Sequence, residues 1–62
     1  MDNQEEPREG QLRIWKNGAF VGNLFIVAEH NPRFDCYKVL EGDRIRTVTR
    51  DVVVYGSKEV TQ

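Results

Sequence analysis

The chain holds one histidine and one cysteine, His30 and Cys36, and these are the first residues to weigh for chemistry. A thiol–imidazole pair needs its two side chains within hydrogen-bond reach and a third group to orient the ring. Six positions apart across Asn31-Pro32, they are near enough in sequence, but a free cysteine ordinarily packs as a small hydrophobe. One histidine and one cysteine do not close a four-ligand zinc site. Glu41 and Asp43 flank Gly42, yet carboxylates on a hydrated turn tip make poor proton-transfer groups near neutral pH. Turn chemistry accounts for that triplet better. Gly10, Gly18, Gly22, Gly42 and Gly56 match no phosphate-cradling spacing. The expectation is a chain without catalytic residues, metal or cofactor.

Two residue groups suggest binding instead. Arg44, Arg46 and Arg50 stand at even positions, so on a strand Arg44 and Arg46 share a face, with Arg50 beyond. If Leu40 pairs with Ile45 across the Glu41-Gly42-Asp43 turn, Lys38 falls opposite Thr47. Arginine forks suit phosphate oxygens, and Phe34 or Tyr37 beside them offers a ring for base stacking, which defines a nucleic-acid-binding alternative. Against it, charges at this density are ordinary on strand faces, and the net charge is only −1. The second group is Trp15 and Phe20 with Arg13. An aromatic pair on a wet face with an arginine at its rim is a protein-contact patch.

The elements that must position these residues are short strands. Leu12 to Lys16 alternates, and Asn17-Gly18 follows, the strongest short hairpin signal. A two-residue turn there sets Trp15 opposite Phe20 and Ile14 opposite Val21. The run from Ala19 to Glu29 then reads as one long second strand, bent at a Gly22 bulge. Pro32 punctuates a polar connection. Phe34 to Leu40 is the third strand, Arg44 to Thr49 the fourth, Arg50-Asp51 a brief break of one 3₁₀ turn, and Val52 to Tyr55 the fifth strand. In the first hairpin Trp15, Phe20 and Arg13 share one face, while Leu12, Ile14 and Val21 share the other. One tiny core cannot bury both. The reading that keeps the aliphatics in phase with a β-branched core leaves the aromatics outside; the alternative buries the aromatics and exposes the aliphatics.

Five short strands with a bent second strand and a break before the last resemble SH3-like small barrels of the KOW and Tudor kind. The resemblance is carried by Tyr37-Lys38-Val39-Leu40-Glu41-Gly42-Asp43-Arg44-Ile45-Arg46 and by Asp51-Val52-Val53-Val54-Tyr55. It implies an all-β chain, a single five-stranded barrel over residues 10–56, and pairing of the first and last strands. It carries over no functional residue.

Residues 1–9 hold four carboxylates against Arg8 and lack apolar side chains after Met1, so they read as a disordered acidic tail of net charge −3. The remainder holds eight Lys and Arg against six Asp and Glu, net +2. Residues 57–62 read as a frayed C-terminus. No apolar run approaches the roughly 20 residues of a membrane span, and nothing resembles a signal peptide. A lone cysteine fits a reducing compartment, so the expected setting is cytoplasmic. These features predict a non-catalytic regulatory module that recognises a partner protein through Trp15, Phe20 and Arg13, of a size that suits a phage or mobile element. It is expected to be a monomer, or a homodimer joined through the uncharged Val52–Tyr55 edge.

Overall fold

In the computed structural model, residues 6–60 are described. The elements run β1 (Leu12–Trp15), β2 (Leu24–Asn31), β3 (Cys36–Glu41), β4 (Arg44–Thr49), α1 (Arg50–Gly56) and β5 (Ser57–Glu59). Apart from α1 the architecture is all-β: one antiparallel sheet in the order β4-β3-β2-β1-β5. The first and last strands pair, with Ile14 beside Lys58 and Trp15 beside Ser57. The sheet is open, with β4 and β5 as its edges, so the closed barrel expected from the strand pattern is not formed.

The β3–β4 hairpin follows the sequence closely. Leu40 pairs with Ile45 and Lys38 with Thr47. Gly42 has φ +65° at the first turn position, a conformation that glycine adopts without penalty and that matches strand twist in a two-residue hairpin.

The first hairpin differs. No two-residue turn forms at Asn17-Gly18; the chain instead loops from Lys16 to Asn23. Trp15 closes the loop, its N–H donating to Asn23 O (3.0 Å) and its carbonyl accepting from Gly22 N–H (2.9 Å). Inside the loop Val21 N–H donates to Gly18 O (3.3 Å) and Asn23 N–H to Phe20 O (3.0 Å). Leu12 therefore pairs with Ile26, Arg13 with Phe25 and Ile14 with Leu24. Gly22 lies in this loop at φ +90°, and the irregularity in β2 falls between Val27 and Glu29.

That register decides which side is core. Trp15, Phe25, Val27, Tyr37 and Val39 fall on one sheet face, all buried, and Val53 of α1 covers them. The Trp15 and Phe25 rings stack with centroids 4.2 Å apart. Trp15 is 5% exposed and Arg13 3%. The expectation that both sit at a wet surface, with Leu12, Ile14 and Val21 in the core, is corrected: Trp15 is in the core, Leu12 and Ile14 are half-buried on the outer face, Val21 is exposed, and Leu24, Ile26, Leu40 and Ile45 face outward.

The fifth-strand expectation is corrected as well. Val52–Tyr55 lies inside α1, and β5 begins at Ser57. Val53 and Val54 are buried while Val52 and Tyr55 are exposed, which is neighbour burial of a helix and not the alternation of a strand. Packing overrides the β propensity of the run, and Asp51 in the first helical turn is favourable toward the helix dipole. Ser57 Oγ donates to Val53 O (2.5 Å), tying helix to strand. The C-terminal segment expected to fray is thus paired through Glu59, and Val60 N–H donates to Leu12 O (2.9 Å); residues 61–62 lie outside the described residues. With Val52–Tyr55 helical, no sheet edge exists there to recruit a second copy.

At the N-terminus, residues 1–5 of the expected tail lie outside the described residues. Glu6 to Gly10 are docked. Pro7 is buried, its carbonyl accepting from the Tyr37 hydroxyl (3.3 Å), and Gly10 N–H donates to Val27 O (2.7 Å).

Candidate functional site

His30 and Cys36 do not meet. Cys36 pairs with Asn31 and His30 with Tyr37, positions one apart on facing strands, so the two side chains point to opposite faces. The His30 ring stacks on Tyr37 with centroids 4.4 Å apart. Glu41 accepts from Asn23 Nδ2 (3.0 Å) and pairs with Arg46 (3.0 Å), a structural role at the hairpin end. Among the described residues no group of three or more His, Cys, Asp or Glu gathers as a metal site.

The basic set is divided. Arg44 and Arg46 lie on the same side of β4 as the core face, since Arg46 pairs with Val39, whereas Lys38 lies on the outer face. Lys38 is 3.7 Å from Glu29. Arg50, at the start of α1, is held by Glu6: Nε donates to Oε1 (3.1 Å) and Nη2 to Oε2. The hydrogen bond to Arg50 draws the Glu6 carboxyl below its ordinary value of 4.5, and the same bond holds the guanidinium above its own. The two proposed stacking rings also separate. Phe34 stands exposed with Arg33 5.9 Å from its centroid. Tyr37 is 2% exposed, so it offers no face to a base. Burial raises its phenol above 10, and the nearby Glu6 charge adds to this.

Phe20 is the one member of the expected aromatic patch that remains outside, 45% exposed on the Lys16–Asn23 loop. The Arg46 guanidinium lies over its ring, 4.1 Å from the centroid. Such a contact favours a fixed ring orientation. Phe20 forms the rim of a cleft of about 270 Å³ between this loop, β4 and α1, with Trp15, Val48 and Val52 lining it. The Asn17-Gly18 loop and Gly56 complete the walls. Gly56 keeps the helix end close to the indole, within 3.8 Å of where a Cβ would stand.

Arg13 turns out to be a structural linker. Its Nε donates to Ser57 Oγ (2.8 Å), Nη1 to Gln11 Oε1 (2.8 Å), and Nη2 to Ser57 O (3.1 Å) and Val53 O (3.4 Å). It joins β1 to α1 and β5. The residues that sequence reasoning missed are Val48 and Val52, which line the cleft; alternation on β4 signalled Val48, but only the helix brings Val52 beside it.

Compared with known proteins, the chain matches no family model, no curated protein and no solved structure. Among the described residues no helix is long and apolar enough to cross a membrane.

Proposed function

We propose that the chain is a non-catalytic binding module of SH3-like strand order, which takes an apolar side chain of a partner protein into the cleft beneath Phe20. The exposed Phe20 ring, clamped by Arg46 at the mouth of an apolar recess, is the observation that carries this reading. A recess of about 270 Å³ has room for one or two side chains and falls below the ordinary range for small-molecule pockets. A peptide anchor suits it better than a cofactor. The SH3-like assignment is supported by the pairing of first and last strands and by a short helix between β4 and β5.

The test is selection from a random peptide library followed by amide shift mapping. Selected peptides carry an apolar anchor, shift amides of residues 16–22 and 50–56, and lose at least about tenfold in affinity against Phe20→Ala, as for a central aromatic contact. Ligands that map to the other sheet face overturn the reading. So does a low-salt titration in which oligonucleotides, and not peptides, shift residues 33–50.

A further inference from the structure

The sheet face opposite the core carries an apolar row that the cleft does not use. Leu12 pairs with Ile26, Ile26 with Leu40 and Leu40 with Ile45, so four aliphatic side chains line up across four adjacent strands. At about 4.8 Å between strands the row is about 14 Å long. Val60 is hydrogen-bonded to Leu12 beyond its end, and Ile14 and Leu24 form a second, parallel pair. Leu24 is 51% exposed and Ile45 67%. The patch amounts to on the order of 400 Å², a size at which an exposed patch on a monomer is often functional.

We propose that this face is covered by a second copy of the chain, giving a two-fold dimer of sheets packed face to face. The charge pattern selects both the occupant and the operator. A two-fold axis along the strands lays β2 on β2 and exchanges the β4 and β5 sides, the aligned packing common for stacked sheets. Ile26 then meets Ile26 beside the axis, and Leu40 meets Leu12. Lys58 on β5 and Asp43 in the β3–β4 turn stand at the same end of the strands on opposite edges, both exposed and in no ion pair among the described residues. The exchange sets Lys58 against Asp43 of the second copy, twice. Glu29 meets Glu29 of the second copy beside the axis, each carboxylate countered by its own Lys38 at 3.7 Å. An axis along the row places Leu24 over Glu29 instead and leaves Lys58 without a counter-charge. Including this polar rim, the two copies bury about 1,000 Å² in total, the lower limit for a specific interface. The dimer therefore belongs to the weak, transient class of interface.

Sedimentation velocity on the full chain from about 5 to 500 µM tests this. Wild type shifts from monomer to dimer across the range. Ile45→Lys and Leu24→Lys, both at well-exposed positions, weaken dimerisation at least about tenfold, since symmetry places each substitution in the interface twice. Lys58→Glu and Asp43→Lys each weaken it, and the double exchange restores it. Far-UV spectra unchanged from wild type show that the variants fold. A wild type that stays monomeric at the highest concentration overturns the proposal, as does a dimer indifferent to both lysine substitutions or a double exchange without rescue. Phe20→Ala leaves the dimer intact, so failure here is separable from failure of the cleft reading.

Discussion

Replacing Arg13 with methionine isolates what its guanidinium does, because methionine retains most of the apolar stem that packs in the core. Among the described residues the substitution removes four hydrogen bonds, two of them at 2.8 Å. Bonds to a charged group are worth about 1.5–3 kcal/mol each when both partners stay buried. Two terms reduce the loss: the guanidinium no longer has to be desolvated, and Ser57 Oγ keeps its own bond to Val53 O. The acceptors left short of a donor are Gln11 Oε1 and Ser57 O, which at about 1–1.5 kcal/mol each give a net loss of about 2–3 kcal/mol. A domain of this length holds only about 3–9 kcal/mol in all. With a urea slope of about 1 kcal/mol/M, the midpoint falls by about 2–3 M. Urea titration followed by Trp15 emission reads this directly, since the indole is sealed in the same core. Arg13→Lys recovers less than half, because an ammonium lacks the fork that reaches acceptors on β1, α1 and β5 together. A methionine variant with an unchanged or higher midpoint would refute the linker argument and mark Arg13 as a replaceable buried charge.

Three further outcomes follow from the same structure. Val53→Asp and Val54→Asp each cost about 3 kcal/mol or more by burying a carboxylate, while Val52→Asp and Tyr55→Asp stay under about 1 kcal/mol; thermal unfolding that instead pairs Val52 with Val54 would sink the helix. Tyr37 has a folded-state pKa raised by burial, so its contribution is complete below 10 and is lost as pH climbs beyond that. Tyr37→Phe removes that alkaline loss at a cost of about 1 kcal/mol near neutral pH, for the bond to Pro7 O, and parallel urea midpoints for the two proteins from pH 9 to 11 would contradict it. Gly42→Ala costs about 1–2 kcal/mol because of its positive φ. Gly56→Ala is neutral or gains up to about 1 kcal/mol, its Cβ meeting Asn17 Oδ1 at 3.5 Å and Trp15 at 3.7 Å; equal melting shifts for the two alanines would refute the distinction.

The parts of the fold legible in the sequence are those where turn chemistry and alternation agree. Glu41-Gly42-Asp43 between two alternating runs fixed the β3–β4 register to the residue, including Lys38 against Thr47. Asn17-Gly18 carried an equally strong hairpin signal and misled. A two-residue turn there opposes odd positions of β1 to even positions of β2, whereas the observed loop opposes odd to odd, as in Arg13 with Phe25. An odd-numbered shift in register turns one strand over relative to the other. The misplacement of Trp15 descends from that parity: Phe25 and Val27 share its face in the core, and the wet side is the aliphatic one. Val52–Tyr55 failed for another reason. Four β-prone residues in a row look the same in a strand or a buried helical turn, and only the spacing of Val53, Val54 and Ser57 distinguishes them.

The register that buries Trp15 also produces both exposed surfaces. Residues not used in a tight turn become the Lys16–Asn23 loop, which lifts Phe20 out to where Arg46 reaches it. On the sheet, the inner side is filled by three aromatic rings and the valines of β2, β3 and α1, and among the described residues no second layer lies on the outer side. Leu24, Ile26, Leu40 and Ile45 are left in water by topology, not by a local defect. The cleft and the row lie on opposite sides of one sheet and share no side chain. A partner held under Phe20 therefore leaves the aliphatic face open. Dimerisation through that face would present two clefts pointing away from each other, so a ligand with two anchors on one short peptide gains nothing from the dimer, while two separate ligands are held at a fixed spacing.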